Sequence, residues 1–555
     1  MAACSAAEGC DLIPIVLVHG FGGWGREEMA GKFWYWGGFS DLQAQLNSGA
    51  VDGREVRVMT AAVGPFSSVW DRAVELFYQI KGGTVDYGAA HASEHGHARF
   101  GRTFPGLYPE WDCDHPVHLV GHSMGGLTAR ALVQMLSDNG APSLGEEGLF
   151  GAGDASCAGE GFAYIRPRHY HVDASWVRSV TTIACPHDGT PMVDLLDTWV
   201  ATLFDSMCYG TGLAGGLQRA DACLYDFKLD QWGIEPRRAG EAWREYSSRV
   251  MGASVWKDKP RDLCHFDLSL QGAAELNAWV KEAPGVLYLS FSASTTYPDP
   301  LFGSVHVPYV ATNPMFLMSA AVIGSSTVQP TSLRPGIGRE WRVNDGMVST
   351  VSQHGPTKRF SRCEQASNCP DPEHGMATNS GSLPAEDHLG GGDFEMVGGG
   401  ASRGGGVTAR LVGRAGRVGR FEVHDVEIVD HGLPVARKMV SGFLAWRHPN
   451  SPLRRSGVYL KKGVWQHVGC FEAFDHLACI GWTHVLDTTV FQGTDAKFFW
   501  NAAEWYRDLV ALLRRHAEEA RQAPPCATGA RSDDDDQGAP QPVGGWGCAQ
   551  EVHDP

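Results

Sequence analysis

The stretch Val117-His118-Leu119-Val120-Gly121-His122-Ser123-Met124-Gly125-Gly126 runs from an apolar, β-branched segment through a G-x-S-x-G turn into the helical pattern Leu127 to Leu136. Strand, turn and helix in immediate succession are the context in which this pentapeptide becomes a nucleophile elbow. Glycine at 121 and 125 lets strand and helix approach without Cβ clashes, while a strained turn holds the Ser123 hydroxyl outward. The helix amino terminus that follows favours developing negative charge. Ser123 is thus the candidate nucleophile. A serine in an ordinary glycine-rich turn would explain the five residues but not their flanks.

Outward from the elbow, most of residues 12–356 alternate short β-branched runs with longer helical patterns, the rhythm of an α/β fold with a largely parallel sheet. Candidate strands are Ile13 to Val18, Glu55 to Thr60, Val117 to Val120, Val177 to Ala184 and Val286 to Phe291. Each ends near Gly, Pro, Asp or Ser, which puts polar groups at the carboxyl edge of the sheet, where such folds carry their sites.

A serine hydroxyl is a weak nucleophile and needs a base, an orienting carboxylate and an oxyanion hole. In α/β-hydrolases the order along the chain is Ser, then Asp or Glu, then His. His19-Gly20-Phe21-Gly22-Gly23, straight after the first strand, reads as half of an oxyanion hole, with the backbone N–H groups of Phe21 and Met124 as its donors. An ordinary strand-ending turn is the alternative. Asp345, in Asn344-Asp345-Gly346, is a candidate acid on a turn at a strand end, with Asp188 and Asp194 as rivals. The base is one of His354, His374, His388, His424, His431, His448, His467, His476, His484, His516 and His553, and spacing does not choose among them.

A second constellation packs three imidazoles into His91-Ala92-Ser93-Glu94-His95-Gly96-His97, about twenty residues after Trp70-Asp71-Arg72. Imidazole with carboxylate suits Zn²⁺, and four protein ligands would close the site as a structural one. Solvent-exposed loop histidines are the competing reading.

Composition bounds the rest. The 555 residues carry a formal charge of −17, are 43% hydrophobic and 20% charged, and include 69 glycines and 14 cysteines. Diffuse acidity argues against nucleic acid or anionic membrane as a partner. No apolar run approaches the roughly 20 residues of a membrane span. Leu12 to Val18 lacks the basic flank of a secretory signal, so the compartment stays open, with an intracellular location slightly favoured. The cysteines form no metal-like C-x-x-C pair. Between Gly381 and Arg420 there are 13 glycines in 40 residues, the composition of a flexible insertion. Residues 521–555, with Asp533 to Asp536, read as a disordered acidic tail after a closing helix at Ala496 to Ala520.

The chain resembles the zinc-containing thermoalkalophilic lipases of thermophilic bacilli and their eukaryotic relatives. The strings that carry the resemblance are Pro14 to Phe21 with Gly23-Trp24-Gly25-Arg26-Glu27-Glu28-Met29, Val63-Gly64-Pro65 to Arg72, Gly82 to Arg102, Thr181 to Thr190, and Tyr225-Asp226-Phe227-Lys228-Leu229-Asp230-Gln231-Trp232-Gly233. They extend over residues 13–356 and resume over 461–513. The resemblance implies an α/β-hydrolase fold with a zinc subdomain and a lid helix, and hydrolysis of triacylglycerols and simpler carboxylic esters at an oil–water interface. It places the nucleophile on Ser123, the acid on Asp345 and the base on His476. Zinc ligands fall on Asp71, His91, His97 and Asp262, with Asp258 as a competitor for the last and His95 outside the set. The family's calcium ligands do not carry over, because Ala478, Thr483 and His484 stand at those positions, so no calcium site is expected. The implied organisation is a tail at 1–12, a catalytic domain at 13–356 and 457–520, a zinc subdomain near 65–105 with 255–270, a lid at 194–216 and an insertion at 357–456. Met315, Phe316, Leu317 and Met318 are candidates for the acyl pocket. A soluble-ester carboxylesterase or acyltransferase with the same residues, and an inactive lipid-binding relative, are the alternatives.

Overall fold

The computed structural model describes residues 13–138, 173–195, 225–357 apart from short stretches, 453, 460–482 apart from 473, and 501–522, with isolated strand residues between 408 and 429. Six strands form one parallel sheet: β1 (Ile15–Val18), β2 (Val58–Ala61), β3 (Val117–His122), β4 (Val177–Ile183), β5 (Leu287–Ser294) and β6 (Trp465–Glu472). Their spatial order is β6-β5-β4-β3-β1-β2. This is the α/β-hydrolase fold.

The sequence pattern explains who sits where. All residues of β1, β3 and β5 are buried, as strands covered on both faces must be, and their side chains are mostly apolar or small, with His118 and His122 of β3 as buried polar exceptions. The edge strand β6 alternates partly exposed with buried positions over most of its length. The five strands expected from sequence are all present. β2 starts later than expected, at Val58, because parallel pairing with β1 begins at the Ile15–Val58 register.

Helix α1 (Val69–Lys81) starts on Ser68, whose side chain accepts the Asp71 N–H. Helix α2 (Met124–Ser137) follows the elbow, and α3 (Leu270–Trp279) starts on Ser269, which caps Gly272 N. Helix α4 (Leu317–Ser325) lies before the Asp345 turn, and α5 (Ala502–Gln522) is the last described helix, its expected start at 496 lying outside the described residues. Of the expected lid, 196–216 also lies outside them. Within 357–456, the segment read as a glycine-rich flexible insertion, Thr408–Arg410 pairs with Glu427–Val429 and Arg417–Val418 with Phe421–Glu422. Its glycine-rich stretches flank these short β-branched pieces and hide them in the average composition.

At the elbow three backbone segments meet. A Cβ on Gly125 would lie 2.1 Å from the Val18 carbonyl oxygen, and one on Gly121 would lie 2.5 Å from the Gly125 backbone. No side chain fits either gap. Gly125→Ala should lower the free energy of unfolding by at least about 2 kcal/mol, the scale of overpacking in a rigid core. A urea midpoint equal to that of the unsubstituted chain would contradict this packing.

Candidate active site and metal centre

Ser123 stands at the end of β3 with φ 54° and ψ −131°, a conformation that a Cβ-bearing residue adopts only at a cost of about 1–3 kcal/mol. The turn is pinned by Ser123 N donating to Ile183 O at 2.8 Å and Gly126 N donating to Ser123 O at 3.0 Å. Beside it, Gly20 packs so closely that a Cβ there would lie 2.6 Å from the Ser123 Cβ. This brings the loop after β1 against the elbow. The amide N–H groups of Phe21 and Met124 have no acceptor among the described residues.

His476, on the loop after β6, reaches Asp345 with Nδ1 2.7 Å from Oδ2. Asp345 is fully buried and heavily held. Its Oδ1 accepts the Met347 and Val348 N–H groups at 2.9 and 2.8 Å, and its Oδ2 accepts Gln353 Nε2 at 3.1 Å. The His476 backbone N–H donates to Asp345 O at 2.9 Å, so two loops far apart in sequence are tied by main chain and side chain together. Ser123 and His476 line one cleft, walled by Phe21, Met192, Val193, Leu268, Met347 and Val348. The Ser123 hydroxyl makes no hydrogen bond to His476 in this structure; unliganded sites of this kind often tighten only around substrate.

The rivals are occupied elsewhere. Asp188 accepts Asn277 Nδ2 and Thr357 N, and Asp194 accepts Leu270 N at the start of α3. His467 bonds Ser292 and packs its ring, tilted, 4.1 Å from that of His354, while His516 lies on α5. The histidines at 374, 388, 424, 431, 448, 484 and 553 lie outside the described residues. Of the four acyl-pocket candidates, only Phe316 approaches the site, its ring 6.4 Å from His476. Met315, Leu317 and Met318 are instead exposed, and none of the four lines the cleft. The reason is local geometry: the candidates span the single helical turn Pro314–Phe316 and the start of α4, and of these side chains Phe316 packs against Gly346 of the Asp345 loop while the other three face outward.

Asp71, His91, His97 and Asp262 converge, with one donor atom from each all within 4.8 Å of one another. His91 Nε2 lies 3.1 Å from Asp71 Oδ1 and 3.3 Å from Asp262 Oδ1, and His97 Nε2 lies 3.2 Å from Asp262 Oδ2. His97 Nδ1 lies 2.8 Å from the Ala98 carbonyl oxygen, so that nitrogen carries a proton, and in the neutral ring Nε2 presents a lone pair. His97 Nε2 and Asp262 Oδ2 are both buried, and beyond their 3.2 Å approach to each other, which lacks hydrogen-bond alignment, neither has a hydrogen-bond partner among the described residues. Orphaned buried atoms aimed at a shared point fit a bound cation. Burial alone would lower the His91 pKa, but hydrogen bonds to Asp262 and Asp71 drive it up to about 10, a second sign that this pocket calls for positive charge. His95 stays outside the set, its ring 4.6 Å from that of His91. Asp258 lies outside the described residues.

Sequence reasoning missed the supports around both sites. Gln231 donates to Asp71 Oδ2 at 2.8 Å, and Trp70 stacks on His91 at 5.1 Å. Gln353 carries no motif that marks it; its bond to Asp345 is a product of tertiary folding. Gln231 lies in one of the strings that resemble the lipases, which was the available signal.

The sequence profile of the family described as "Lipase-like, C-terminal domain" matches residues 11–369. The chain belongs to this family. Among curated proteins, this lipase-like chain is 33% identical over 345 residues to a lipase of Staphylococcus epidermidis, an alignment covering 62% of this chain and 45% of the relative. The chain thus spans about half the length of the curated relatives it matches. Among solved structures, EstA from Clostridium botulinum aligns with TM-score 0.58 and 29% identity over 91% of this chain and 87% of that one. Lipase 1 from Pelosinus fermentans aligns with TM-score 0.54 and 30% identity over 93% and 100%.

A cation held by the four donors would stabilise the folded state by mass action. Dialysis against EDTA should lower the thermal midpoint by several degrees, and a divalent cation should restore it. The midpoint of Asp262→Ala should respond to neither. A midpoint of the unsubstituted chain indifferent to both would argue against a metal centre.

Proposed function

We propose that the chain is a serine-dependent carboxylic ester hydrolase acting on triacylglycerols, with Ser123 as nucleophile, His476 as base and Asp345 as the orienting acid. The observation that carries this reading is the 2.7 Å contact of His476 Nδ1 with the buried Asp345 carboxylate, on the same apolar cleft as the elbow serine. The likeness to the Staphylococcus epidermidis lipase and to lipase 1 from Pelosinus fermentans supports it.

The chemistry follows from the groups present. Asp345 fixes the imidazole with its proton on Nδ1, leaving Nε2 to take the proton of the Ser123 hydroxyl as its oxygen attacks the ester carbonyl. The carbonyl oxygen becomes an oxyanion that accepts from the unpartnered N–H groups of Phe21 and Met124, where a single lost donor typically costs about 10²–10³ in turnover. His476 then returns the proton to the departing alcohol oxygen. In the second half, His476 takes a proton from water as it attacks the acyl-enzyme, and the fatty acid leaves from a regenerated Ser123. Apolar walls from Met192, Val193 and Leu268 suit an acyl chain rather than a charged substrate.

The cation proposed at Asp71, His91, His97 and Asp262 is zinc, because two imidazole nitrogens and two carboxylate oxygens form a donor set that zinc takes in closed, four-ligand sites. Bound there, it would supply a cross-link between segments far apart in sequence.

Ser123→Ala should abolish turnover of emulsified triolein while leaving the circular dichroism spectrum unchanged, and Asp345→Asn should reduce kcat by about 10⁴-fold. Metal analysis of the purified chain should find about one zinc. Turnover by Ser123→Ala at the unsubstituted rate would refute the nucleophile assignment. Activity confined to dissolved short-chain esters would replace the lipase reading with the esterase one.

A further inference from the structure

Between the oxyanion loop and the base runs a buried chain of hydrogen bonds that the reaction scheme above does not use. Gly20 N donates to the Tyr35 hydroxyl at 2.9 Å. That hydroxyl lies 2.6 Å from His122 Nδ1, and His122 Nε2 lies 2.8 Å from the backbone carbonyl oxygen of His476. Tyr35 is 5% exposed and His122 is fully buried, so no water substitutes for a missing partner.

The donors and acceptors fix the arrangement. His476 O can only accept, so His122 Nε2 carries its proton. If His122 is neutral, Nδ1 then holds a lone pair and accepts the Tyr35 O–H, whose oxygen accepts from Gly20. One tautomer satisfies all four groups. Burial, and next the charge that His476 gains on protonation, hold the His122 pKa well below the ordinary imidazole value, which keeps it neutral while His476 cycles.

Each end of this chain abuts a reacting part. Gly20 immediately precedes Phe21, His122 immediately precedes Ser123, and the carbonyl held by His122 belongs to His476 itself. The His476 backbone is therefore gripped on two sides, its N–H by Asp345 O and its C=O by His122 Nε2. The two imidazole rings lie 4.7 Å apart.

Resting on the triad reading of the preceding section, we propose that His122 is a positioning residue. Through Tyr35 on one side and the His476 carbonyl on the other, it sets the register of the oxyanion amide, the nucleophile and the base relative to one another. It touches no substrate, and its effect is on the alignment of groups that do.

The test measures two quantities for each variant: the fraction of chains labelled by a fluorophosphonate, and the second-order rate constant of labelling. Kinetics on a dissolved short-chain ester accompany them. Tyr35→Phe and His122→Ala should label to the same final fraction as the unsubstituted chain but about tenfold or more slowly, with kcat falling in proportion and KM held within about twofold, the pattern of a lost transition-state interaction. His122→Gln, whose amide nitrogen reaches the place of Nε2 and can donate to the His476 carbonyl, should recover at least about threefold over His122→Ala. A merely structural role would lower the labelled fraction at an unchanged rate constant, and that result overturns the proposal. So does a His122→Gln variant no faster than His122→Ala. Should His122→Ala fail to fold, Tyr35→Phe, which deletes one oxygen, decides alone by the same criterion. An unsubstituted chain that is folded yet unlabelled overturns the triad reading and the positioning role together, whereas a labelled parent with variants of equal rate overturns the positioning role only.

Discussion

Ser123 is held with positive φ at the one point where β3, β1 and α2 come closer than any side chain allows, and the rest of the site depends on that crowding. A strained backbone persists only where its surroundings over-determine it. Here the constraint is supplied by Gly121, Gly125 and Gly20, each packed against backbone or the serine itself, and by the Ile183 carbonyl that takes the Ser123 N–H. Sheet order places β4 and β1 on either side of β3, so both neighbours needed to trap the turn are fixed by the parallel ladders. The helix that begins at Met124 then presents its free amide beside the hydroxyl.

Helix α1 couples the four-donor cluster to this region through two adjacent residues. Asp71 points to His91 and Asp262, while Arg72, fully buried, donates to the carbonyl oxygens of Gly64 and His19 and to the Thr128 hydroxyl on α2. His19 begins the oxyanion loop. Burial depresses the Arg72 pKa to about 10, still well above neutrality, so it remains a cation paired with carbonyl oxygens. A cross-link at Asp71 would therefore stiffen a helix whose next residue braces the loop and the elbow helix together. That is a structural contribution, at a distance from the reacting atoms.

How much of this was legible in the sequence depended on whether the physics was local. The elbow could be read because strand, glycines and helix are contiguous, and the five strands because both faces are buried and their side chains show it. The base could not be chosen from eleven histidines by spacing, since His476 is defined by a contact with Asp345 across the fold; resemblance to known lipases selected it, and the two side chains do meet. Asp262 was likewise ambiguous along the chain and falls in place beside His97 in space. Gln353, Tyr35 and His122 escaped notice as supports because each acts through a tertiary hydrogen bond that no periodicity encodes. The acyl-pocket candidates at 315–318 miss the cleft for the opposite reason: an apolar run has no direction until its turn and helix are packed.

The central claim is that Ser123, His476 and the amides of Phe21 and Met124 act on one carbonyl. The most direct measurement is a crystal structure of the chain after reaction with a dialkyl phosphonate ester. The account predicts phosphorus bonded to Ser123 Oγ, its phosphoryl oxygen within about 3 Å of both amide nitrogens, and His476 Nε2 within hydrogen-bond reach of Ser123 Oγ or the alkoxy oxygen. Phosphorus on another residue, or a phosphoryl oxygen turned away from both amides, would contradict it.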